Sequence, residues 1–170
     1  MKYRMCHKQI QLIAFILLLL IYKSGIAQSM SVGGNNWSVS PPAITEAGKN
    51  YVGIYESPDN QILLTLTGPL LLGNMHVSAH YEANPLWDNN LKLSILRTNS
   101  GTGLCLLCSL SGNENYIQLN TTDITLFNFT TAALLTTVNN VAMKLKVSGV
   151  SVVLPAATYG CKVVFTISPN

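Results

Sequence analysis

The feature that most limits how this chain can fold is an alternation of period two near its carboxyl end. Val141, Met143, Leu145 and Val147 fall on one parity, and Ala142, Lys144, Lys146 and Ser148 on the other. Side chains of an extended chain point alternately to opposite faces, so the segment predicts a strand with one face in a core and one in water. The last segment repeats the pattern, with Tyr159, Cys161, Val163, Phe165 and Ile167 opposed to Lys162, Thr166 and Ser168. The same periodicity predicts strands over 51–56, 61–67, 74–82, 91–98, 104–110, 115–120, 124–129, 141–147, 150–154 and 158–168. Between them lie turn-forming groups: Ser57-Pro58-Asp59-Asn60, Asn89-Asn90, Asn99-Ser100-Gly101, Ser111-Gly112-Asn113 and Asn139-Asn140. The nearest approach to a helical stripe, residues 131–137, is short and rich in Thr. Many short strands with frequent turns predict an all-β domain over residues 50–170, an antiparallel Ig-like β-sandwich of Greek-key type. Residues 28–49, rich in Gly, Asn, Ser and Pro, read as an extended arm or first edge strand.

What precedes the strands reads as a targeting segment. Lys2, Arg4 and Lys8 make a cationic start, Leu12 to Ile21 is an unbroken apolar run, and Gly25 and Ala27 place small residues at cleavage spacing. That layout is a secretory signal peptide over residues 1–27, with the mature chain starting at Gln28. The apolar run is well short of the ~20 residues that span a bilayer as a helix, so no membrane span is expected after cleavage. Cys6 precedes the run, whereas a lipid-modified cysteine would follow it.

Cleavage changes the electrostatics. The signal holds four of the ten Lys and Arg residues and none of the seven acids, which leaves six cations against seven anions, a net of −1. Phosphate-backbone binding needs a concentrated cationic surface, and the only local pair is Lys144 with Lys146, so a nucleic-acid partner is not expected. Ser, Thr and Asn supply 43 of the 143 mature residues, so neutral hydrogen-bonding groups cover the surface instead of charges. A nearly neutral molecule repels its own copies weakly, which favours self-association.

No set of residues converges on a catalytic chemistry. There is no Gly-x-Ser-x-Gly elbow, and Ser78, though near His76 and His80, lies on a predicted regular strand without an oxyanion hole. His76, Ser78, His80 and Glu82 share the polar face of that strand, where the two imidazoles stand roughly 13 Å apart at ~3.3 Å per residue, too far to grip one metal. The seven acids are scattered through turns, a poor basis for a paired-carboxylate hydrolase, and Gly101-Thr102-Gly103 opens a strand, not a phosphate-binding helix. The chain is therefore expected to be non-enzymatic, with no cofactor and no metal.

Three cysteines remain after cleavage: Cys105, Cys108 and Cys161. The Cys105-Leu106-Leu107-Cys108 spacing suits a redox pair only at a helix start, and here it falls on a predicted strand. A zinc site would need Cys161, His76 or His80 to complete four ligands. Leu104, Leu106, Cys108 and Leu110 share the more apolar parity, and Cys161 faces inward on the last strand, so Cys108–Cys161 is the favoured disulfide, with Cys105–Cys161 the alternative. Among the aromatics Trp37, Tyr51, Tyr55 and Trp87, the candidate ligand site is Trp87 with Asp88, in the polar loop Asn84-Pro85-Leu86-Trp87-Asp88-Asn89-Asn90. Trp87 either displays its ring to a glycan or plugs the end of the core. Sequons stand at Asn36, Asn120 and Asn128 and matter only if the host glycosylates exported chains.

Residues 147–167, which carry Leu154-Pro155-Ala156-Ala157 before a Tyr-containing strand of alternating apolar residues, resemble the closing strands of exported bacterial β-sandwich proteins, the spore coat protein U-like proteins and chaperone-usher fimbrial subunits. The resemblance covers about 25 residues. It implies an Ig-like fold and a structural or adhesion-related role at the cell surface or in the periplasm. The chain departs from the pattern in lacking an early cysteine, and residues 28–34 offer only Met30 and Val32 as donor-strand anchors. The expected function is that of a secreted structural protein that associates with itself or with a surface protein or glycan. The alternative is a carbohydrate-binding module built on Trp87.

Overall fold

The computed structural model describes residues 28–68, 73–103, 107–132 and 136–170. Ten strands make up its regular structure: β1 (Ser29–Gly34), β2 (Ile54–Glu56), β3 (Ile62–Thr67), β4 (Gly73–Ala83), β5 (Lys92–Arg97), β6 (Cys108–Ser111), β7 (Ile117–Gln118), β8 (Ile124–Thr131), β9 (Thr137–Ser148) and β10 (Cys161–Pro169). They form two antiparallel sheets. One runs β1-β3-β9-β5-β7, with β2 also pairing β9, and the other runs β10-β4-β8-β6. The all-β sandwich expected from alternation is the fold observed. Every connection from β3 to β10 crosses from one sheet to the other, so the turn signals separate strands of opposite layers.

The core follows from parity. Ile62, Leu64 and Leu66 of β3, Leu93 and Ile95 of β5, and Val141, Met143 and Leu145 of β9 face Met75, Val77 and Ala79 of β4 and Phe127 and Phe129 of β8, all of them buried. β9 is the longest strand and carries the six-stranded sheet, with β2, β3 and β5 hydrogen-bonded along it.

Several sequence expectations are corrected here. Asn139-Asn140 is not a turn between strands. It lies inside β9, where the register with β3 shifts between Leu64 and Leu66. Asn140 takes φ 57°, a left-handed conformation that Asn tolerates better than most residues. The extra residue lets Val138 and Val141 both point inward although they differ in parity. Residues 150–154 form no strand: the chain turns, with the Leu154 amide donating to the Ser151 carbonyl at 3.1 Å, after Gly149 has left the ladder at φ 86°. A Cβ on Gly149 would run into the Asn90 carbonyl, so only glycine fits there. The expected strands over 51–56, 115–120 and 158–168 shorten to β2, β7 and β10. Of 104–110, residues 104–106 lie outside the described part and the rest contributes to β6. The signal segment 1–27 also lies outside it. Among the described residues no helix is long and apolar enough to cross a membrane.

Candidate functional site

Trp87 closes the core instead of standing in solvent. Its indole packs against the core with its ring centroid 5.5 Å from that of Tyr81, and its Nε1 is buried without a hydrogen-bond partner. The loop bends it inward. The Asn84 amide donates to the Gly160 carbonyl at 2.9 Å, Asn84 Oδ1 accepts from the Leu86 amide at 3.2 Å, and the Trp87 amide donates to the Asn84 carbonyl at 3.0 Å. Asp88 does not join it. Its carboxylate accepts from the Asn90 amide at 2.8 Å and so serves its own turn.

The favoured disulfide is not formed. Cys161 carries a free thiol, which excludes both Cys108–Cys161 and Cys105–Cys161. Both Cys108 and Cys161 pack against the core, as parity required, but at opposite corners of one sheet. β10 and β6 are its two edges, three strand spacings apart, on the order of 14 Å. Along the strands, Cys161 pairs with Ala83 at one end of β4, whereas Cys108 is tied through Thr131 to Gly73 at the other. A disulfide tolerates Cα atoms only about 4.4–6.8 Å apart. Cys108 is disulfide-bonded, and Cys105 lies outside the described residues.

The polar face of β4 holds what sequence spacing could not show. His80 Nδ1 lies 2.6 Å from Asp123 Oδ1, and His76 Nδ1 lies 2.6 Å from Asn170 Oδ1. Both partners come from distant chain segments that β8 and β10 lay beside β4. An Nδ1–H donated to oxygen leaves Nε2 as the free acceptor. A His–Asp pair of this kind could orient a general base, but it needs a cleft and a nucleophile. The pair sits on a sheet face, and Ser78, the hydroxyl on the same parity, is buried. Two recesses among the described residues, about 370 Å³ along Gly112–Ile117 and about 240 Å³ along Pro42–Val52, include neither His80 nor Asp123. Among the described residues no group of three or more His, Cys, Asp and Glu side chains is placed to hold a metal.

A second constellation absent from the sequence reading is a clasp on the outer face of the six-stranded sheet. Lys144 Nζ meets Glu56 Oε2 at 2.9 Å and Asp59 Oδ1 at 3.1 Å, and Lys146 Nζ sits 3.7 Å from the centroid of the Tyr116 ring. The hydrogen bond from Lys144 holds the Glu56 carboxyl below its ordinary range, and the same bond with that to Asp59 raises the ammonium well above its own. The groups neutralise one another and fasten β2 to β9, an arrangement that is structural.

The feature that remains is one open flank. β1 and β10 are the edges of the two sheets on the same side of the sandwich, and they touch. Neither pairs with a further strand among the described residues. The inward residues Cys161, Val163, Phe165 and Ile167 of β10 are only half-buried, as are Cys108 and Leu110 of β6 at the other edge of that sheet. On β1, Val32 shares the parity of half-buried Met30 and is 54% exposed. Along this side the half-buried row of β10 lies beside the exposed Val32 of β1. Residues 28–34, which offered little as a donor strand, are used within the chain, pairing with β3 from Ser29↔Thr67 to Gly34↔Ile62.

No family model matches the chain, and no curated protein or solved structure matches it.

Proposed function

We propose that this chain is an exported, non-enzymatic structural protein of the cell surface or periplasm, which works by association through the flank formed by β1 and β10. The observation that carries the proposal is the undefended edge of β1. Soluble sandwiches guard an edge strand with charge, proline or a bulge, because its free N–H and C=O groups template another strand. β1, Ser-Met-Ser-Val-Gly-Gly, has none of these, and its neighbour β3 has no charged residue either. β10 contributes one charge, Lys162, and a half-buried apolar row. A strand added there would complete the ladder and cover Val32 and Phe165 together. The cationic and apolar start with its small-residue end supports export, and the near-neutral mature charge removes long-range repulsion between copies.

The test is the size distribution of the chain beginning at Gln28, followed by sedimentation velocity over a hundredfold concentration range. Association that rises with concentration and is lost in Val32→Lys, with the circular dichroism of the sandwich retained, supports the proposal. A monomer throughout, unchanged by the lysine, refutes it.

A further inference from the structure

The free edges of the two sheets differ in how well they are guarded. β2, β6 and β7 are three, four and two residues long, and shortness is itself a guard against strand addition. β10 is longer, but it carries Lys162 and ends on Pro169. The Asn170 amide donates to the Asn74 carbonyl of β4 at 2.9 Å, so Pro169, one position earlier, sets its missing donor on the free side of the strand. Among the described edges only β1 has six residues with neither charge nor proline. A strand that joins it needs a free ladder of matching length, and the edge of that kind in this molecule is β1 of another copy.

β1 is also complementary to itself. Residues directly opposite in an antiparallel ladder point to the same face, so a copy related by a two-fold axis must pair residues of equal parity. Met30 and Val32 share the inward parity, Met30 half-buried against the core and Val32 54% exposed. An axis centred on Ser31 sets Met30 of each copy against Val32 of the other, and Ser29 against Gly33. The apolar pair then lies on the core side, and only serine and glycine meet on the outer side. The neighbouring registers do less. An axis at Met30 leaves Val32 against Gln28, and an axis at Val32 leaves Met30 against Gly34, the last residue of the strand, at φ 108°.

We propose that β1 pairs antiparallel with β1 of a second copy about a two-fold axis at Ser31, which joins the two six-stranded sheets into one. The pairing rests on association through the flank, as proposed above, and adds to it the occupant and the register. Isologous pairing uses up the edge on both copies, so assembly closes at two chains instead of running on as a fibre.

The test is cysteine cross-linking of the chain from Gln28 to Asn170, which contains both sheets entire, with Cys161→Ser to remove the free thiol. Diamide is the oxidant and takes up the two electrons and two protons released as each disulfide forms. Directly opposite Cα atoms stand about 4.5–5.5 Å apart, within the span of a disulfide, so Ser31→Cys should join two copies covalently. Ser29→Cys should not join to itself, because its two copies are offset by about 13 Å along the ladder. It should join to Gly33→Cys when the two variants are mixed. All three positions are exposed, and a Cβ at Gly33 meets nothing closer than 3.5 Å, so an unchanged circular dichroism spectrum is expected of each. The cross-linked fraction of Ser31→Cys should exceed that of Ser29→Cys about tenfold. In sedimentation velocity the unsubstituted chain should level off at twice the monomer mass. A monomer at every concentration removes the flank and this pairing together. Association that Val32→Lys abolishes but that grows past two copies overturns the pairing and leaves the flank in place. So does an associating chain in which Ser31→Cys cross-links no better than Ser29→Cys.

Discussion

At the scale of single residues the molecule is held at one end by a buried cation. Arg97 continues the inward row of Leu93 and Ile95, and its side chain is only 5% exposed. It is tolerated there because its donors are used. Nε bonds the Gly112 carbonyl at 3.0 Å, Nη1 bonds Ser100 Oγ at 2.9 Å and the Asn99 carbonyl at 3.3 Å, and Nη2 lies 3.5 Å from Glu114. The guanidinium also stands 5.9 Å from the centre of the Phe127 ring. Arg97→Ala strips two loops of their anchor and leaves carbonyls unpaired, so a loss of about 3 kcal/mol is expected from the urea midpoint, with the slope unchanged. Cys161 tests burial at the open flank. Desolvation pushes its thiol up to about 11 from 9.0. Thiolate is the reactive form, so alkylation of Cys161 at pH 8 should run on the order of a hundredfold more slowly than that of an exposed thiol. Addition of 6 M guanidinium should restore the ordinary rate. A fast reaction in the folded state would show that the flank is more open than the structure has it.

Strands and turns show how far the sequence could be read. Alternation located β3, β4, β5, β8 and β9 because each has one face in a wholly buried core, the condition under which parity is informative. It overran at β2, β7 and β10, where the ladder stops before the apolar pattern does. It also misread Asn139-Asn140, since the residue types that suit a turn equally suit a bulge. Asn140→Gly should be tolerated, and Asn140→Val should cost about 1–2 kcal/mol by the same urea measurement, because a β-branched residue resists positive φ. Partners such as His80 with Asp123, or Lys144 with Glu56 and Asp59, were not legible. They join segments whose neighbours are set by strands crossing between sheets, and no local spacing encodes that. The Cys108–Cys161 pairing failed for the same reason: parity gave the correct inward face for each cysteine but not the corner of the sheet.

The clasp on β2 gives an element-scale pH dependence. Glu56 has its carboxyl lowered in the fold by the hydrogen bond from Lys144, so its contribution is present above the unfolded carboxylate range and is lost as pH falls through the folded value. Protection against hydrogen exchange at β2, taken relative to the intrinsic rate at each pH, should fall on acidification ahead of that at β9, and Glu56→Gln should abolish that difference. Equal acid sensitivity in the wild-type chain and Glu56→Gln would remove the clasp from the account.

At the scale of the whole molecule, a sandwich with a densely buried centre sets the uncharged edge strand β1 beside the half-buried row of β10, and residues 28–170 hold six Lys and Arg against seven acids. Those two properties make the flank, not any catalytic group, the centre of the account. Because the attraction is apolar and backbone-directed, association should change little between 0.05 and 0.5 M salt. The most direct measurement is sedimentation velocity of the chain from Gln28, alone and as Val32→Lys, across a hundredfold range of concentration. Concentration-dependent association, insensitive to salt, is expected, and the lysine should abolish it while the sandwich stays folded. A monomer at every concentration, or an oligomer that the lysine leaves intact, would contradict it.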